Sequence, residues 1–326
     1  MPIIGPKQRT PEWYAMRRNA DDPRFGATDA AGLIGASKWK SPRHIYEEFM
    51  TPPEPIDNVA MMTGRVMERP ICELHASLND HFIVHGLPTL IHPDVPVFAS
   101  LDAVVMTEYK DTGVVEYDGL DMPGNLFDGP SDNEVLECKW TMSPAVASQL
   151  GEEGSDWVPN EWACQVQQQM DVADLEVAEI AVFLFGKLRV YRVPRNEDLI
   201  AEVREAAHEM RERIINREPP DPDWQHELTP ELVRSMRHDI DYGSIELDPQ
   251  DAELWEQQKA IGKQITALEN QRKQLKARVE LSLIEHDVAA GILPDGIKQV
   301  VRREASRAGY TVGPKTFWEL RELKIK

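Results

Sequence analysis

The chain is short of cysteine, with three in 326 residues, at positions 72, 138 and 164. An odd number spaced so widely gives no disulfide framework. Long apolar runs are missing as well. No stretch approaches the ~20 consecutive apolar residues that a membrane-crossing helix needs, so no membrane association is expected. The opening Met1-Pro2-Ile3-Ile4-Gly5-Pro6 has neither the charged nor the apolar segment of a secretory signal. A cytoplasmic location is the resulting expectation. Positive charge is in deficit: 36 Lys+Arg stand against 56 Asp+Glu, a net charge of −20. The deficit is unevenly spread. Over residues 1–50 eight basic residues face six acidic, and over 259–326 fourteen face eight. Both ends are therefore net basic. That asymmetry is compatible with DNA contacts at the ends, or simply with a solvated acidic middle.

What is present is a globular composition, 41% hydrophobic and 28% charged, long enough for one large domain with an appendage. Thr10-Pro11 reads as an N-cap followed by Pro at the first helical position, opening a helix through Arg17 and Arg18. After a loop, Thr28 or Asp29 is positioned to cap Ala30-Ala31-Gly32-Leu33, and Ser41-Pro42 to cap a helix through Phe49. A free helix N-terminus attracts phosphate, which makes Thr28, with Arg17 nearby, a candidate anion contact beside the ordinary capping reading. A helical pattern runs from 61 to about 78, with Met62, Val66, Ile71 and Leu74 as expected core positions and Glu68 upon it. Residues 81–92 read as a strand and turn, 97–105 as a strand-like run interrupted by Asp102, and 107–133 as an acid-rich hairpin or loop. A short helix follows Ser143-Pro144. Residues 177–184 and 188–193 read as paired strands, and 195–217 as an amphipathic helix.

Residues 221–250 read as a linker with a short helix at 230–238, separating a core (1–220) from a C-terminal arm and tail (251–326). The arm is a long helix at 251–286 with Leu254, Ile261, Leu268 and Leu275 seven apart. Gln258 and Arg272 weaken that seam, so intramolecular packing or a free arm is expected over a stable coiled-coil dimer. Its Lys259, Lys263, Lys273, Lys276 and Arg278 are candidate DNA contacts or a solvated charged face. The tail is basic, with strand-like segments at 298–302 and 317–325.

The chemistry concentrates in Val135-Leu136-Glu137-Cys138-Lys139-Trp140. On a strand, residues two apart share a face, so Glu137 and Lys139 project together. Burying both is costly unless they pair or bind something. If the neighbouring strand brings Asp102 to the same spot, two hard carboxylates and an ammonium meet. Hydrolysis of a phosphodiester needs an activated water and relief of developing charge. Mg²⁺ held by one or two carboxylates supplies both, with the Cys138 carbonyl as a possible third ligand. Lys139 is placed to hold the water or neutralise charge. Four glutamines at 165 and 167–169 add an unusual helix, with Gln165, Gln168 and Gln169 on one face.

Trp13-x₃-Arg17, Gly26-Ala27-Thr28-Asp29, Trp39-Lys40-Ser41-Pro42, Gly64-x₃-Glu68, Leu101-Asp102, Glu137-Cys138-Lys139 and Gln165-Val166-Gln167 follow in that order. As a set they resemble the lambda-exonuclease, or YqaJ-type viral recombinase, branch of the PD-(D/E)XK nucleases, over roughly residues 10–215. The resemblance implies a restriction-endonuclease-like α/β fold, a mixed central sheet flanked by helices. It implies Mg²⁺-dependent digestion of linear duplex DNA from the 5′ end, leaving a 3′ single strand, with Mn²⁺ able to substitute. It implies that Asp102 and Glu137 bind metal, Lys139 assists the water, Glu68 supports a second metal or water, and Gln165 contacts the site. Arg17 and Thr28 are implied to receive the 5′-phosphate, with Thr in place of the family's usual Ser. Homo-oligomeric rings, often trimers, and a single-strand annealing partner are further expectations.

The chain departs from the family in its long Asp102–Glu137 separation and in residues beyond about 220, which lambda exonuclease lacks. Related nucleases with an iron–sulfur cluster need four cysteines, which disfavours that variant. An endonuclease on the same fold and a non-catalytic DNA-binding or assembly protein are the competing readings.

Overall fold

The computed structural model describes residues 1–51, 58–117, 132–236, 244–294 and 299–301. The chain divides into two compact units, Met1–Met236 and Arg237–Lys326. In the first, the helices are α1 (Pro11–Arg17), α2 (Ala30–Leu33), α3 (Pro42–Met50), α4 (Val59–Asn79), α5 (Pro144–Ala147), α6 (Asn160–Ala173), α7 (Glu197–Asn216) and α8 (Thr229–Ser235).

Two sheets organise these helices. The smaller holds β1 (Ile3–Ile4), β2 (Phe25–Gly26), β4 (Leu90–Ile91) and β5 (Val97–Ala99), in the order β1-β4-β5-β2. The larger holds β3 (Phe82–His85), β6 (Ala103–Val105), β7 (Gly113–Glu116), β8 (Glu134–Thr141), β9 (Val177–Leu184) and β10 (Lys187–Pro194), in the order β10-β9-β8-β6-β3-β7. It is mixed: β8 runs parallel to β9 and antiparallel to β6, and β7 runs parallel to β3. β9 and β10 form the expected hairpin, turning through Phe185 and Gly186, both at positive φ. That is the backbone a two-residue hairpin loop demands, and Gly adopts it without strain.

The strands of the large sheet are covered on both faces. Val104, Val135, Ala178, Ile180 and Val182 pack with Val166 and Met170 of α6, while Ala103, Val105, Leu136, Cys138 and Ala181 pack with Ile71, Cys72 and Ala76 of α4. The period-two alternation along β8 therefore assigns Val135, Glu137 and Lys139 to the α6 face and Leu136 and Cys138 to the α4 face. All three cysteines are free and buried, although Cys72 Sγ and Cys138 Sγ come within 3.5 Å.

Several expectations need correction. The run over 97–105 is two strands in two different sheets, because Ser100-Leu101-Asp102 leaves one ladder before joining the next. Neither Thr28 nor Asp29 caps α2 with its side chain: residues 27–29 form a 3₁₀ turn running directly into that helix. On α4, Ile71 is buried, but Met62 and Val66 are exposed, so the apolar face begins later than the pattern implied. The acid-rich segment includes β7, while residues 118–131 lie outside the described residues. The segment after α7 is docked on the core. Arg43 donates to the Pro220 carbonyl, His226 Nε2 lies 3.1 Å from the Ser37 carbonyl, and Thr229 is fully buried.

In the second unit, α9 (Pro249–Glu285) is 37 residues long, about 55 Å at 1.5 Å per residue. Its seam residues Leu254, Ile261, Leu268 and Leu275 are each more than half exposed, so of the two expected alternatives, intramolecular packing or a free arm, packing along the seam is not seen among the described residues. Only Leu283 of the helix is buried; it packs on the hairpin of β11 (Ala290–Ile292) and β12 (Gln299–Val301). The basic tail beyond Val301, with the expected strand at 317–325, lies outside the described residues.

Candidate active site

The site forms where the β6–β8 ladder ends. The last paired residues are Ala103 with Leu136, so Asp102 and Glu137 stand opposite each other just beyond the ladder. With no strand backbone left to receive it, the Cys138 N–H donates to Asp102 Oδ2 at 2.8 Å. Glu137, almost fully buried, is held on both oxygens. Lys139 Nζ and Gln165 Nε2 reach Oε1 at 2.6 and 2.7 Å, and Gln169 Nε2 reaches Oε2 at 2.6 Å. Gln165 Oε1 closes the circuit by accepting from Lys139 Nζ at 2.9 Å. Such charge-assisted bonds are the strong kind, and a full set is what a buried carboxylate requires.

The electrostatics are those of crowded acids. Burial, then Glu137 and Glu68, push the Asp102 carboxyl well above the ordinary range, against the pull of Lys139 and the Cys138 N–H. Burial is also the main cause of the upward shift of Glu68; Glu137 adds to it while Arg9, His85 and Arg65 oppose it. For Lys139, burial acts downward but Glu137 and Asp102 win, so its pKa is raised and it remains an ammonium. The Lys139 ammonium also lies 5.7 Å from the Trp162 ring centre.

Two crowded carboxylates repelling one another, Glu137 buried and Asp102 half-buried, with a third acid pressing on both, suit a hard divalent cation that takes one or two protein carboxylates and keeps its waters. The residues present fit such an ion. Glu68 does not complete a ready-made trio. Among the described residues the three-ligand cluster with all donor atoms within 4.8 Å is His75, His81 and Glu179, elsewhere in the fold.

The glutamine face of α6 is turned inward. All four are buried, and two are structural. Gln168 Nε2 donates to both the Phe25 and Phe98 carbonyls, tying β2 to β5, and Gln167 clamps Pro194 and Asn196. Gln168 thus fixes the two strands that lead to Thr28 and Asp102.

Arg17 and Thr28 are brought together, Arg17 Nη2 donating to Thr28 Oγ1 at 3.2 Å. Arg17 also covers the Trp13 ring at 5.0 Å. Thr28 is exposed, while its neighbour Asp29 is fully buried and meets Lys40 Nζ at 3.2 Å and Arg18 Nη1 at 3.5 Å. Glu48 binds the same two cations. Burial acts to raise the Asp29 pKa, but Lys40, Arg18 and Arg17 outweigh it and hold the carboxyl far below its usual value. The sequence reading missed this four-charge cluster, whose only signal was the ordered Asp29, Lys40 and Glu48.

Fold and site together define a mixed α/β domain with a buried carboxylate–lysine–glutamine centre. A family model described as the YqaJ-like viral recombinase domain matches residues 12–176, and the chain belongs to that family. Among solved structures it is similar to the alkaline exonuclease LHK-Exo of Laribacter hongkongensis, at 15% identity and a TM-score of 0.45, over 64% of this chain and 94% of that one. The same enzyme in complex with dAMP gives 16% identity and a TM-score of 0.43, over 64% and 96%. A phage related exonuclease from Haemophilus somnus 129PT gives 10% identity and a TM-score of 0.43, over 61% and 97%. No curated protein matches the chain. Among the described residues no helix is long and apolar enough to cross a membrane.

Proposed function

We propose that the chain is a divalent-metal-dependent deoxyribonuclease that digests linear duplex DNA from its 5′ ends, leaving 3′ single strands for phage-type recombination. The observation that carries this reading is the meeting of Asp102, Glu137 and Lys139 at one ladder end, in a member of the YqaJ-like family. The restriction-endonuclease-like fold is part of the same proposal. Asp102 and Glu137 are the ligands for Mg²⁺, or Mn²⁺ in its place. The Cys138 carbonyl leaves the strand on the same side as the N–H that meets Asp102, which suits it as a further ligand. When bound, the ion supplies an activated water and charge neutralisation at the phosphoryl oxygens.

The remaining work falls to the chain's own groups. Lys139, kept protonated by its acidic neighbours, donates to a water or phosphoryl oxygen and offsets charge that develops there. Gln165 and Gln169 fix the Glu137 carboxylate so that its geometry does not relax during reaction. Glu68 acts at longer range, through its charge or an intervening water. Arg17 and the exposed Thr28 hydroxyl form the receptor for a 5′-phosphate, with Arg17 pre-set by Trp13 and Thr28. A ring-like homo-oligomer and a single-strand annealing partner complete the proposal.

The test is linear duplex with and without 5′-phosphate, with and without Mg²⁺, with end labels that report which strand recedes. Loss of the 5′-labelled strand only with Mg²⁺ is expected. Glu137→Ala and Lys139→Ala are expected to abolish cutting while the fold survives by circular dichroism. Undiminished digestion by either variant would defeat the assignment. Nicking of covalently closed circles would replace it with an endonuclease.

A further inference from the structure

We propose that His75, His81 and Glu179 form a second metal site, for a borderline transition ion such as Zn²⁺, separate from the carboxylate centre and independent of the nuclease reading. His75 lies on α4 and is fully buried. The helix ends at Asp80 in the left-handed region, and the reversed chain carries His81 back beneath it, its N–H bonded to the Ala76 carbonyl. The two imidazole centres are 5.2 Å apart. Glu179, buried on β9, completes the group. His75 Nε2 lies 2.7 Å and His81 Nδ1 3.9 Å from Glu179 Oε2.

The decisive feature is what these atoms do not do. Both nitrogens of His75, His81 Nδ1 and Glu179 Oε2 are all buried and without a hydrogen bond among the described residues, and of these His75 Nε2 and His81 Nδ1 both lie within 3.9 Å of Oε2. At 2.7 Å the His75–Glu179 pair is close enough, so its failure is one of direction: nitrogen and oxygen do not aim along a shared N–H···O line. A plain buried His–Glu ion pair would put that line in place and would still leave His81 Nδ1 unanswered. Buried polar atoms are almost always satisfied. Three orphans converging on one spot call for an atom between them. Arg192, the register partner of Glu179 on β10, does not fill the role, because Glu134 holds it.

Two imidazole nitrogens and one carboxylate oxygen are a donor set of zinc sites, whereas Mg²⁺ prefers oxygen alone. Binding through Nε2 leaves the His75 proton on Nδ1. His81 is a third exposed, which leaves a path for a water as fourth ligand. The site is also physically apart from the carboxylate centre. Glu179 pairs in register with Leu136, which faces α4, while Glu137 faces α6, so the sheet lies between the two. Along α4, His75 is seven residues from Glu68, roughly 10 Å. An ion here would pin the C-terminal end of α4 to β9.

The test uses the full chain, stripped with chelator and titrated with Co²⁺ and Zn²⁺. Expected are one tightly bound ion per chain, a visible Co²⁺ absorption typical of four-coordination that Zn²⁺ displaces, and a Zn²⁺-dependent rise in melting temperature. Asp102→Asn keeps all three. The near-isosteric Glu179→Gln and the surface-accessible His81→Ala, folded by circular dichroism, weaken binding by more than about 100-fold, the upper bound for losing a residue that only hydrogen-bonds to a ligand. Absence of stoichiometric binding, binding as tight as wild type in Glu179→Gln or His81→Ala, or loss of binding in Asp102→Asn would each overturn the proposal.

Discussion

Replacing Gln165 by Leu puts the architecture of the centre to its sharpest test, because this one amide serves both partners of the ion pair. Its Nε2 donates to Glu137 and its Oε1 accepts from Lys139, at 2.7 and 2.9 Å. Leu conserves most of the volume, so the packing of α6 on the sheet survives and only the two hydrogen bonds are lost. A bond to a charged group contributes about 1.5–3 kcal/mol. Glu137 is nearly sealed from water, but the Lys139 side chain is 21% exposed and recovers part of its loss from solvent. The low end of the range therefore applies, about 3 kcal/mol for the two together. For a unit spanning Met1–Met236 that is a drop of roughly 6–12 °C in melting temperature. The assay is urea unfolding followed by tryptophan fluorescence in metal-free buffer, paired with duplex digestion in Mg²⁺. Digestion is expected to fall with stability. A loss below about 1 kcal/mol with unaltered digestion would show that Glu137 and Lys139 hold each other unaided, and would refute the positioning role.

Asp102→Asn should stabilise the metal-free protein at neutral and alkaline pH while removing digestion. With its folded pKa raised, Asp102 binds its proton more tightly in the folded state, so stability falls as pH climbs from the ordinary carboxylate range through the raised value. The variant's advantage over wild type should therefore vanish toward about pH 4, and an advantage that persists there contradicts the reasoning. Asp29 has the opposite sign. Its depressed pKa contributes stability above the unfolded value of about 4, and that contribution disappears as the medium becomes more acidic. Asp29→Asn should cost about 3–5 kcal/mol at pH 7, by leaving Lys40 and Arg18 short of a partner, and should flatten the acid limb of the stability profile. Arg17→Ala should erase any preference for 5′-phosphorylated over 5′-hydroxyl ends, read as the ratio of initial digestion rates. A retained preference would place the phosphate receptor elsewhere.

Local rules account for what the sequence made legible. The Thr10 cap is real, its hydroxyl accepting from the Trp13 N–H, and Ser143 caps α5 in the same way. Period two along β8 was enough to put Glu137 and Lys139 on one face, because both are fixed by the same strand. The misses share another cause. Asp29 looked like a cap because its true partners, Arg18 and Lys40, each lie eleven residues away in sequence and meet it only in the folded chain, where Glu48 shares both cations. Glu179 carried no signal within its apolar strand, because its neighbours His75 and His81 lie about a hundred residues earlier in the chain. Gln168 has the same sequence environment as Gln169, yet one serves backbone carbonyls and the other a carboxylate. No periodicity separates those duties.

The split of the 97–105 run carries the chemistry with it. Had β5 and β6 been one continuous strand, the ladder would run past Cys138, its N–H would be spent on backbone, and Asp102 would lose its donor. The sheet change at Ser100-Leu101-Asp102 frees that N–H for a carboxylate and opens the edge at Glu137. Crowding two acids there destabilises the metal-free fold, and the chain offsets it with Lys139 and two buried amides. A centre built in this way gains stability from whatever cation neutralises it. Mg²⁺ should therefore raise the melting temperature of the wild type, leave that of Asp102→Asn unchanged, and raise that of Glu179→Gln as much as wild type. Equal Mg²⁺ shifts in wild type and Asp102→Asn would mean that the ion binds away from the ladder end.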